Sequence, residues 1–251
     1  MALLTMHFNS TELKMHTLVN VIIPDSVRIE NKPLSERKVL WLLHGLSDDG
    51  SCWARFSRVE HYAEKYGLVV VMPSAGRSMY CDNVLGQNYF THIAEELPNY
   101  LSLVFGLSRK KEDNFIAGLS MGGLGAAKLA LTYPEKYSAV GSFSGVLNLG
   151  PLLFVLNDDM KNEFSFMIEA ISDVDNSPLN PTALLDAEKD KDLKIYITCG
   201  LQDNLLITNY LFKERADELS IKAHYTFEDG AHTWEYWDRH IKLFIDFMLE
   251  K

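Results

Sequence analysis

Hydrophobic and polar residues alternate near the start of the chain. Between Leu13 and Val21 every second residue falls on one largely apolar face, and the residues between them are mostly polar. A shorter apolar segment lies around Met6–Phe8, and Asn9–Thr11 supply residues typical of a turn. This pattern predicts an antiparallel hairpin at the edge of a sheet.

Later apolar segments are continuous rather than alternating. They are Val39–Leu43, Leu68–Met72, Phe115–Ala117, Ala139-Val140 with Phe143, and Ile195–Cys199. Strands that are buried on both faces have this pattern because helices cover both sides of a parallel sheet. The five segments are therefore predicted to be neighbouring strands of such a sheet.

Apolar residues recur at helical spacing between these strands. The helical segments are Tyr89–Val104, Leu124–Leu131 and Trp237–Met248. Strands that alternate with helices predict βαβ units and an α/β fold, a mostly parallel twisted sheet with helices on both faces. The edge hairpin makes that sheet mixed. No repeat or linker divides the chain, so residues 1–251 are predicted to form one domain.

The segment 146–192 interrupts this alternation. It carries two apolar groups and a turn-rich piece: Leu152–Leu156; Phe164, Phe166, Met167 and Ile168; and Asp173–Pro178. Loops at the carboxyl ends of parallel strands lie over the active site in such folds, so the insertion is predicted to be a lid or a pocket wall. A packed surface excursion is the alternative.

Composition and charge exclude several classes of protein. Of the 251 residues 47% are hydrophobic and 23% are charged, as in ordinary globular proteins. Lys and Arg number 24 against 34 Asp and Glu, a formal net charge of −10, which disfavours nucleic acid and anionic membrane surfaces as partners. No apolar run is long enough to span a bilayer.

Cysteine usage and the first residues indicate a cytoplasmic enzyme. Met1–His7 lacks the basic region and the long apolar core of a signal peptide. Cys52, Cys81 and Cys199 are an odd set without CxxC or CxxH spacing, so neither a disulfide framework nor a structural zinc site is expected. No HxH or HExxH pair is present, and no metal or other cofactor is predicted.

Residues 118–122 form a GxSxG motif centred on Ser120. The motif follows a predicted strand directly and opens a predicted helix, which is the placement that a nucleophile elbow requires. Such a turn strains the backbone of the serine, and the flanking glycines allow strand and helix to approach closely. Ser120 is therefore predicted to be a nucleophile with the helix N-terminus beneath it.

A serine nucleophile needs a base and an acid that orients the base, and these follow it in the chain in this fold. His232 lies in a loop between a further strand pattern, Ala223–Phe227, and the closing helix, whereas the other histidines lie in the hairpin, a strand, helices or a turn. Asp203 comes directly after the strand Ile195–Cys199. Asp229 is the rival acid, but it shares the tight loop of His232 and is poorly placed to face the imidazole.

Two backbone N–H groups are candidates for an oxyanion hole. One belongs to Met121, the residue after the proposed nucleophile. The other belongs to Leu46, in the turn His44-Gly45-Leu46 that ends the strand Val39–Leu43. His44 itself is expected to be tied into that turn by hydrogen bonds rather than to be catalytic.

Four motifs resemble the esterase D family of α/β-hydrolases. They are Leu43-His-Gly-Leu46 with Trp53, Ala117–Gly123, Cys199-Gly200-x-x-Asp203, and Gly230–Trp237. They occur in order between about Val39 and Phe247. The family includes S-formylglutathione hydrolases, tributyrin esterases, some feruloyl esterases and mycolyltransferases, and the chain most resembles the tributyrin esterases of low-GC Gram-positive bacteria.

The resemblance implies a serine carboxylesterase for short acyl chains, acting on a small-molecule ester. It implies Ser120, Asp203 and His232 as the triad, with Leu46 and Met121 as the oxyanion donors. Pocket residues are less determined: Trp53 and Trp234 either wall the pocket or pack in the core, and Phe164 and Phe166 are assigned to it from the insertion.

Several functional alternatives stay open. A thioesterase of the S-formylglutathione kind and a carbohydrate O-deacetylase would use the same triad. An acyltransferase is less expected because such relatives are exported. A non-catalytic scaffold usually lacks a triad residue, and here all three are present. The sequence leaves a homo-oligomer open.

Overall fold

A computed structural model of the protein describes residues 1–83, 86–151, 157–165, 173, 176–187 and 192–250. The strands are β1 (Ala2–Ser10), β2 (Met15–Ile23), β3 (Val39–Leu43), β4 (Val69–Pro73), β5 (Asn114–Leu119), β6 (Ala139–Phe143), β7 (Lys194–Gly200) and β8 (His224–Glu228). The helices are α1 (Ser26–Ile29), α2 (Cys52–Phe56), α3 (Val59–Tyr66), α4 (Tyr89–Thr91), α5 (Leu97–Phe105), α6 (Met121–Thr132), α7 (Asp158–Glu163), α8 (Pro181–Leu184), α9 (Leu206–Glu218) and α10 (Trp234–Leu249). A π-helical turn, His92–Glu96, joins α4 to α5. Short 3₁₀ turns lie at Leu34–Glu36, Lys111–Asp113 and Leu185–Ala187.

The eight strands form one sheet in the order β1-β2-β4-β3-β5-β6-β7-β8. β1 pairs with β2, and β2 with β4, in antiparallel fashion, and the remaining neighbours are parallel. This confirms the predicted mixed α/β sheet with an antiparallel edge hairpin. Each parallel strand ends at the same edge of the sheet, so the loops that follow β3, β5, β7 and β8 are brought together there.

The hairpin is longer than the sequence pattern indicates, and its turn lies further along the chain. Asn9 and Ser10, predicted as turn residues, pair with His16 and Met15. The turn runs through 11–14 instead, and the backbone of Lys14 has a φ of 56°. Ser10 extends the strand because its side chain contacts Glu96. The Glu96 carboxylate also accepts hydrogen bonds from the N–H and the hydroxyl of Thr11.

Both faces of the sheet are covered. On β3, Val39 and Trp41 belong to one apolar cluster and Leu40 and Leu42 to the other, so successive side chains enter opposite cores. α6 is buried along nearly its whole length in the first cluster, and α10 packs an apolar stripe into the second. The continuous apolar runs of the sequence are explained by this burial on both sides. Within the described residues, no helix combines the length and the apolar character that crossing a membrane requires.

The insertion 146–192 is described in part. Phe164 is buried in the first apolar cluster, and the neighbouring Glu163 forms a two-pronged ion pair with Arg77 from the loop after β4. Leu152–Leu156, Phe166, Met167 and Ile168, on which the lid hypothesis largely depends, lie outside the described residues. The assignment of the insertion as a lid stays a prediction.

A buried histidine makes the fold sensitive to acid. His240 on α10 contacts Tyr196 through Nδ1 at 3.1 Å and Glu228 through Nε2 at 3.1 Å. Burial of the ring outweighs the attraction of the Glu228 carboxylate and lowers the pKa of His240 from 6.5 to about 4. Between these two values the unfolded chain binds a proton that the folded chain does not, so the free energy of unfolding falls as the pH falls.

Because of this histidine we expect the free energy of unfolding to fall by on the order of 2 kcal/mol when the pH is lowered from 7.5 to 5. Urea denaturation at the two pH values measures the loss. His240→Phe should be less stable overall but should lose less on acidification than the wild type. His61→Phe, at an exposed position on α3, is the matched control and should keep the wild-type loss. Equal losses in the wild type and in His240→Phe would contradict the assignment.

Candidate active site

Ser120 occupies a sharp turn between β5 and α6. Its φ is 53° and its ψ is −117°, a conformation that L-residues rarely adopt and that costs roughly 1–3 kcal/mol. Two backbone hydrogen bonds hold it: its N–H donates to Phe143 O at 2.9 Å, and its carbonyl accepts from Leu124 N–H at 3.1 Å. The side chain is partly exposed, whereas its neighbours Leu119 and Met121 are buried.

The flanking glycines allow the backbone to close around this turn. A Cβ at Gly118 would lie 2.4 Å from the carbonyl carbon of Gly122, and one at Gly122 would lie 2.4 Å from Leu43 O. Strand, turn and helix therefore touch through backbone atoms, as the GxSxG spacing predicts. Because α6 begins at Met121, the positive end of the helix dipole lies at Ser120.

His232 and Asp203 meet across the loops that follow β8 and β7. Nδ1 of His232 lies 2.8 Å from Oδ2 of Asp203. The Asp203 side chain is fully buried, whereas the His232 side chain is 38% exposed. The two loops are packed so closely that a Cβ at Gly200 would lie 2.1 Å from Gly230 O.

The environment of Asp203 keeps its carboxylate ionised. Burial raises its pKa, but hydrogen bonds from His232, from the Leu205 N–H at 2.9 Å and from Ser144 outweigh burial and lower the pKa overall. An ionised carboxylate accepts a hydrogen bond from Nδ1–H, which keeps the proton on Nδ1 and leaves Nε2 of His232 free to accept a proton. The rival Asp229 is exposed. Arg239 donates a hydrogen bond to its backbone carbonyl rather than to its carboxylate.

The turn after β3 lies beside Ser120. A Cβ at Gly45 would lie 3.7 Å from the Cβ of Ser120. The buried His44 fixes this turn: Nε2 accepts from Ala75 N–H at 2.8 Å, so Nδ1 carries the proton and donates to Gly45 O at 2.7 Å. Burial lowers the pKa of His44, which keeps the ring neutral.

The two candidate oxyanion donors have free N–H groups within the described part of the chain. Neither Leu46 N nor Met121 N donates a hydrogen bond to any described residue. Leu46 belongs to the turn beside Ser120, and Met121 follows Ser120 directly. Backbone donors without a partner, next to a nucleophile, are the feature that an oxyanion hole needs.

Sequence reasoning did not single out Ser144. This residue follows β6, is fully buried and has a φ of 50°, and its N–H donates to Thr198 O at 2.7 Å. Its hydroxyl accepts from Nε1–H of Trp237 at 3.1 Å and hydrogen-bonds Asp203. The Trp237 ring also packs edge-on against His232, with ring centroids 4.9 Å apart. The sequence alone does not mark this role, because the positive φ of Ser144 is a property of the fold and its partners are distant in sequence.

The predicted pocket residues differ in their exposure. Trp53 is fully buried, donates from Nε1 to Leu43 O at 2.9 Å and packs edge-on against Trp234 at 5.2 Å. This placement favours the core-packing alternative for Trp53. Trp234 is half-buried and stays a pocket candidate. Phe164 is buried, and Phe166 lies outside the described residues, so their assignment to the pocket stays a prediction.

Comparisons with known proteins identify the family and the fold of the chain. The Esterase family model matches residues 10–243. The chain is 27% identical over 259 residues to an acetyl esterase of Caldicellulosiruptor saccharolyticus, with 96% of each chain covered. Its structure is similar to substrate-bound FphF, a fluorophosphonate-binding serine hydrolase of Staphylococcus aureus, at a TM-score of 0.89 and 33% identity over 100% of this chain and 99% of that one. The S-formylglutathione hydrolase FrmB of Staphylococcus aureus gives a TM-score of 0.87 and 33% identity over 99% of each chain.

These matches extend over nearly the whole chain. They confirm the resemblance to esterase D-like proteins that the motifs indicate, and they confirm the α/β-hydrolase fold. The eight-stranded sheet with its antiparallel edge is the architecture that these serine hydrolases share. The chain therefore belongs to the Esterase family and is a carboxylic-ester hydrolase.

Proposed function

We propose that the protein is a serine carboxylesterase that hydrolyses short-chain acyl esters through Ser120, His232 and Asp203. The observation that carries the proposal is the 2.8 Å contact between His232 Nδ1 and the buried Asp203 carboxylate, in loops at the same sheet edge as the strained Ser120 turn. The free thiols of the three buried cysteines are compatible with a reducing cytoplasm, where we place the enzyme.

In this mechanism the Ser120 hydroxyl attacks the ester carbonyl while Nε2 of His232 takes its proton. The tetrahedral intermediate collapses, the proton passes to the departing alkoxide, and an acyl-enzyme remains on Ser120. Water then attacks the acyl-enzyme with His232 again as the base, and the carboxylic acid leaves. Asp203 holds the ring in the reactive tautomer and stabilises the imidazolium that forms twice in each cycle.

A tetrahedral intermediate forms when Ser120 attacks the ester and again when water attacks the acyl-enzyme. We assign the N–H groups of Leu46 and Met121 as the donors that bind the oxyanion of each. Their free donors and the N-terminus of α6 supply positive charge where negative charge develops. The hydrogen bonds of His44 keep the Leu46 turn in one conformation before substrate arrives. Each donor of this kind contributes about 10²–10³-fold to kcat in comparable enzymes.

A thioesterase of the S-formylglutathione kind is the second candidate, favoured by the similarity to FrmB. Parallel assays on a p-nitrophenyl butyrate ester and on S-formylglutathione separate the two functions. A kcat/KM for the thioester far above that for the ester would replace the ester assignment. A sugar acetate belongs in the same panel because the acetyl esterase relative favours an O-deacetylase.

Chain length is expected to limit the substrate. We expect kcat/KM for p-nitrophenyl esters to peak between acetate and roughly hexanoate, because each buried methylene gains about 0.8 kcal/mol until the pocket ends. Beyond that point overpacking costs about 1–3 kcal/mol, and the value should fall steeply by decanoate. A profile that rises to long-chain esters, with activation at a lipid interface, would make the protein a lipase instead.

Ser144 is expected to position the acid. Ser144→Ala removes the hydroxyl that links Asp203 to Trp237, and we expect kcat to fall about tenfold with KM unchanged. Trp237→Phe keeps the Ser144–Asp203 bond and an aromatic ring beside His232, so this matched control should lose less kcat than Ser144→Ala. Equal losses of kcat in the two variants would assign the effect to packing around the loop rather than to the contact with Asp203.

A further inference from the structure

A second cleft lies along α6, away from Ser120. It has a volume of 210 Å³ and is lined by Cys81, Asp82, Phe90, Lys128, Thr132, Pro178 and Leu179. Lys128 stands eight residues after Ser120 on the same helix, about 12 Å along its axis. The cleft therefore differs from the proposed active site and shares with it the helix that begins at the nucleophile.

Lys128 is a buried cation that has no carboxylate partner among the described residues. Its residue is only 2% exposed, and Nζ donates to Cys81 Sγ at 3.0 Å and lies 5.0 Å from the centre of the Phe90 ring. Within the described residues these are its contacts, and none is an anion. A thiol is a weak acceptor, and lysines are almost never fully buried unless an opposite charge accompanies them. The ammonium group is thus prepared for an anion.

The rest of the lining favours an anion that carries a short apolar tail. Phe90, Pro178 and Leu179 supply apolar walls. Asp82 is an acidic side chain of the lining, but it is exposed. Its two carboxylate oxygens already accept hydrogen bonds from the N–H and the hydroxyl of Thr91, at 3.0 and 2.7 Å. Asp82 therefore lies at the rim of the cleft, and its carboxylate oxygens are hydrogen-bonded to Thr91 rather than to Lys128.

We propose that this cleft binds a short-chain monocarboxylate, with the carboxylate on Lys128 and the tail against Phe90 and Leu179. A cavity of about 150 Å³ holds a benzene-sized molecule, so 210 Å³ suits an acid of a few carbons. The acid released by the proposed esterase belongs to this class, and only that link rests on the proposed function. An acid bound here contacts the helix that carries Ser120 at its start.

Thermal unfolding of the full chain with sodium butyrate tests the proposal. Wild-type Tm should rise by about 5–10 °C at a butyrate concentration 100 times Kd, since the ligand binds only the folded state. Butanol and butylamine, which have the same tail without the negative charge, should give no comparable shift. A Tm that does not respond to butyrate, or that responds equally to butanol, would overturn the proposal.

Variants locate the site. In Lys128→Met the butyrate affinity should fall about tenfold or more, because a charge-assisted hydrogen bond is lost. Without ligand this variant should unfold at or above the wild-type Tm, since it replaces an unpaired buried charge by an apolar chain of similar length. Lys110→Met, at an exposed position before β5, is the matched control and should keep the wild-type affinity. Undiminished binding in Lys128→Met would place butyrate elsewhere.

Two further measurements keep the result independent of folding and of the proposed triad. Leu179→Trp leaves Lys128 in place and fills the cleft with a larger side chain, so it should also abolish the butyrate shift. This variant tests the proposal even if Lys128→Met does not fold. Ser120→Ala should keep the full shift. Loss of the shift in Ser120→Ala, with no loss in Lys128→Met, would assign butyrate to the active site and reject the second cleft.

Discussion

Ser120→Ala is expected to lower kcat for p-nitrophenyl butyrate by about 10⁴-fold or more, with residual turnover from the oxyanion donors. The substitution removes one oxygen, the atom that forms the acyl-enzyme, from a residue whose backbone is held by Phe143 and Leu124. Steady-state hydrolysis measures the loss. A fluorophosphonate probe gives a second readout, since it should label the wild type at Ser120 and leave the variant unlabelled.

The stability of two Ser120 variants separates the catalytic role of the hydroxyl from the backbone strain at this residue. Ser120→Gly should lose activity like Ser120→Ala but should be more stable than it by about 1–2 kcal/mol, because glycine adopts a φ of 53° without a steric cost. Ser102→Ala, on α5, is the matched serine control and should keep wild-type activity and labelling. Near-normal turnover in Ser120→Ala would reject Ser120 as the nucleophile. Wild-type protein that is folded but neither hydrolyses the ester nor takes the label would favour a non-catalytic scaffold.

The local parts of the fold could be predicted because their patterns are local. The buried strands show continuous apolar runs, the edge hairpin alternates, and the GxSxG motif needs only the strand before it and the helix after it. The strained φ of Ser120 and the close approach of Gly118 and Gly122 follow from that motif alone. The order of the loops along one sheet edge then follows from parallel strands.

Contacts between distant segments could not be predicted. The extension of β1 through Ser10 depends on Glu96, a partner 86 residues away. Ser144 matters because it lies between Trp237 and Asp203, which belong to other elements. A lysine in an apolar helix pattern would be assigned to the exposed face, yet Lys128 is buried against Cys81. In each case the environment is created by the tertiary fold and leaves no periodic trace in the sequence.

Asp203→Asn is the second expected large effect, a fall in kcat on the order of 10⁴-fold. An amide in place of the carboxylate presents an N–H to the ring, which stabilises the tautomer with its proton on Nε2. That nitrogen then cannot accept the Ser120 proton. KM should change little, because the buried Asp203 side chain is shielded from the substrate by His232.

Asp229→Asn provides the matched comparison, since both acids lie near His232 in sequence or space and differ in burial. Asp229 is exposed and its carboxylate makes no contact with His232 in the described structure, so this variant should keep wild-type kcat and KM. An inactive Asp229→Asn beside an active Asp203→Asn would make Asp229 the orienting acid and leave the 2.8 Å contact a structural one. If Asp203→Asn instead raised KM with kcat unchanged, the role of the carboxylate would be in substrate binding and not in orienting His232. The proposed triad requires the loss to fall on kcat, because the imidazolium that Asp203 stabilises forms only during the chemical steps.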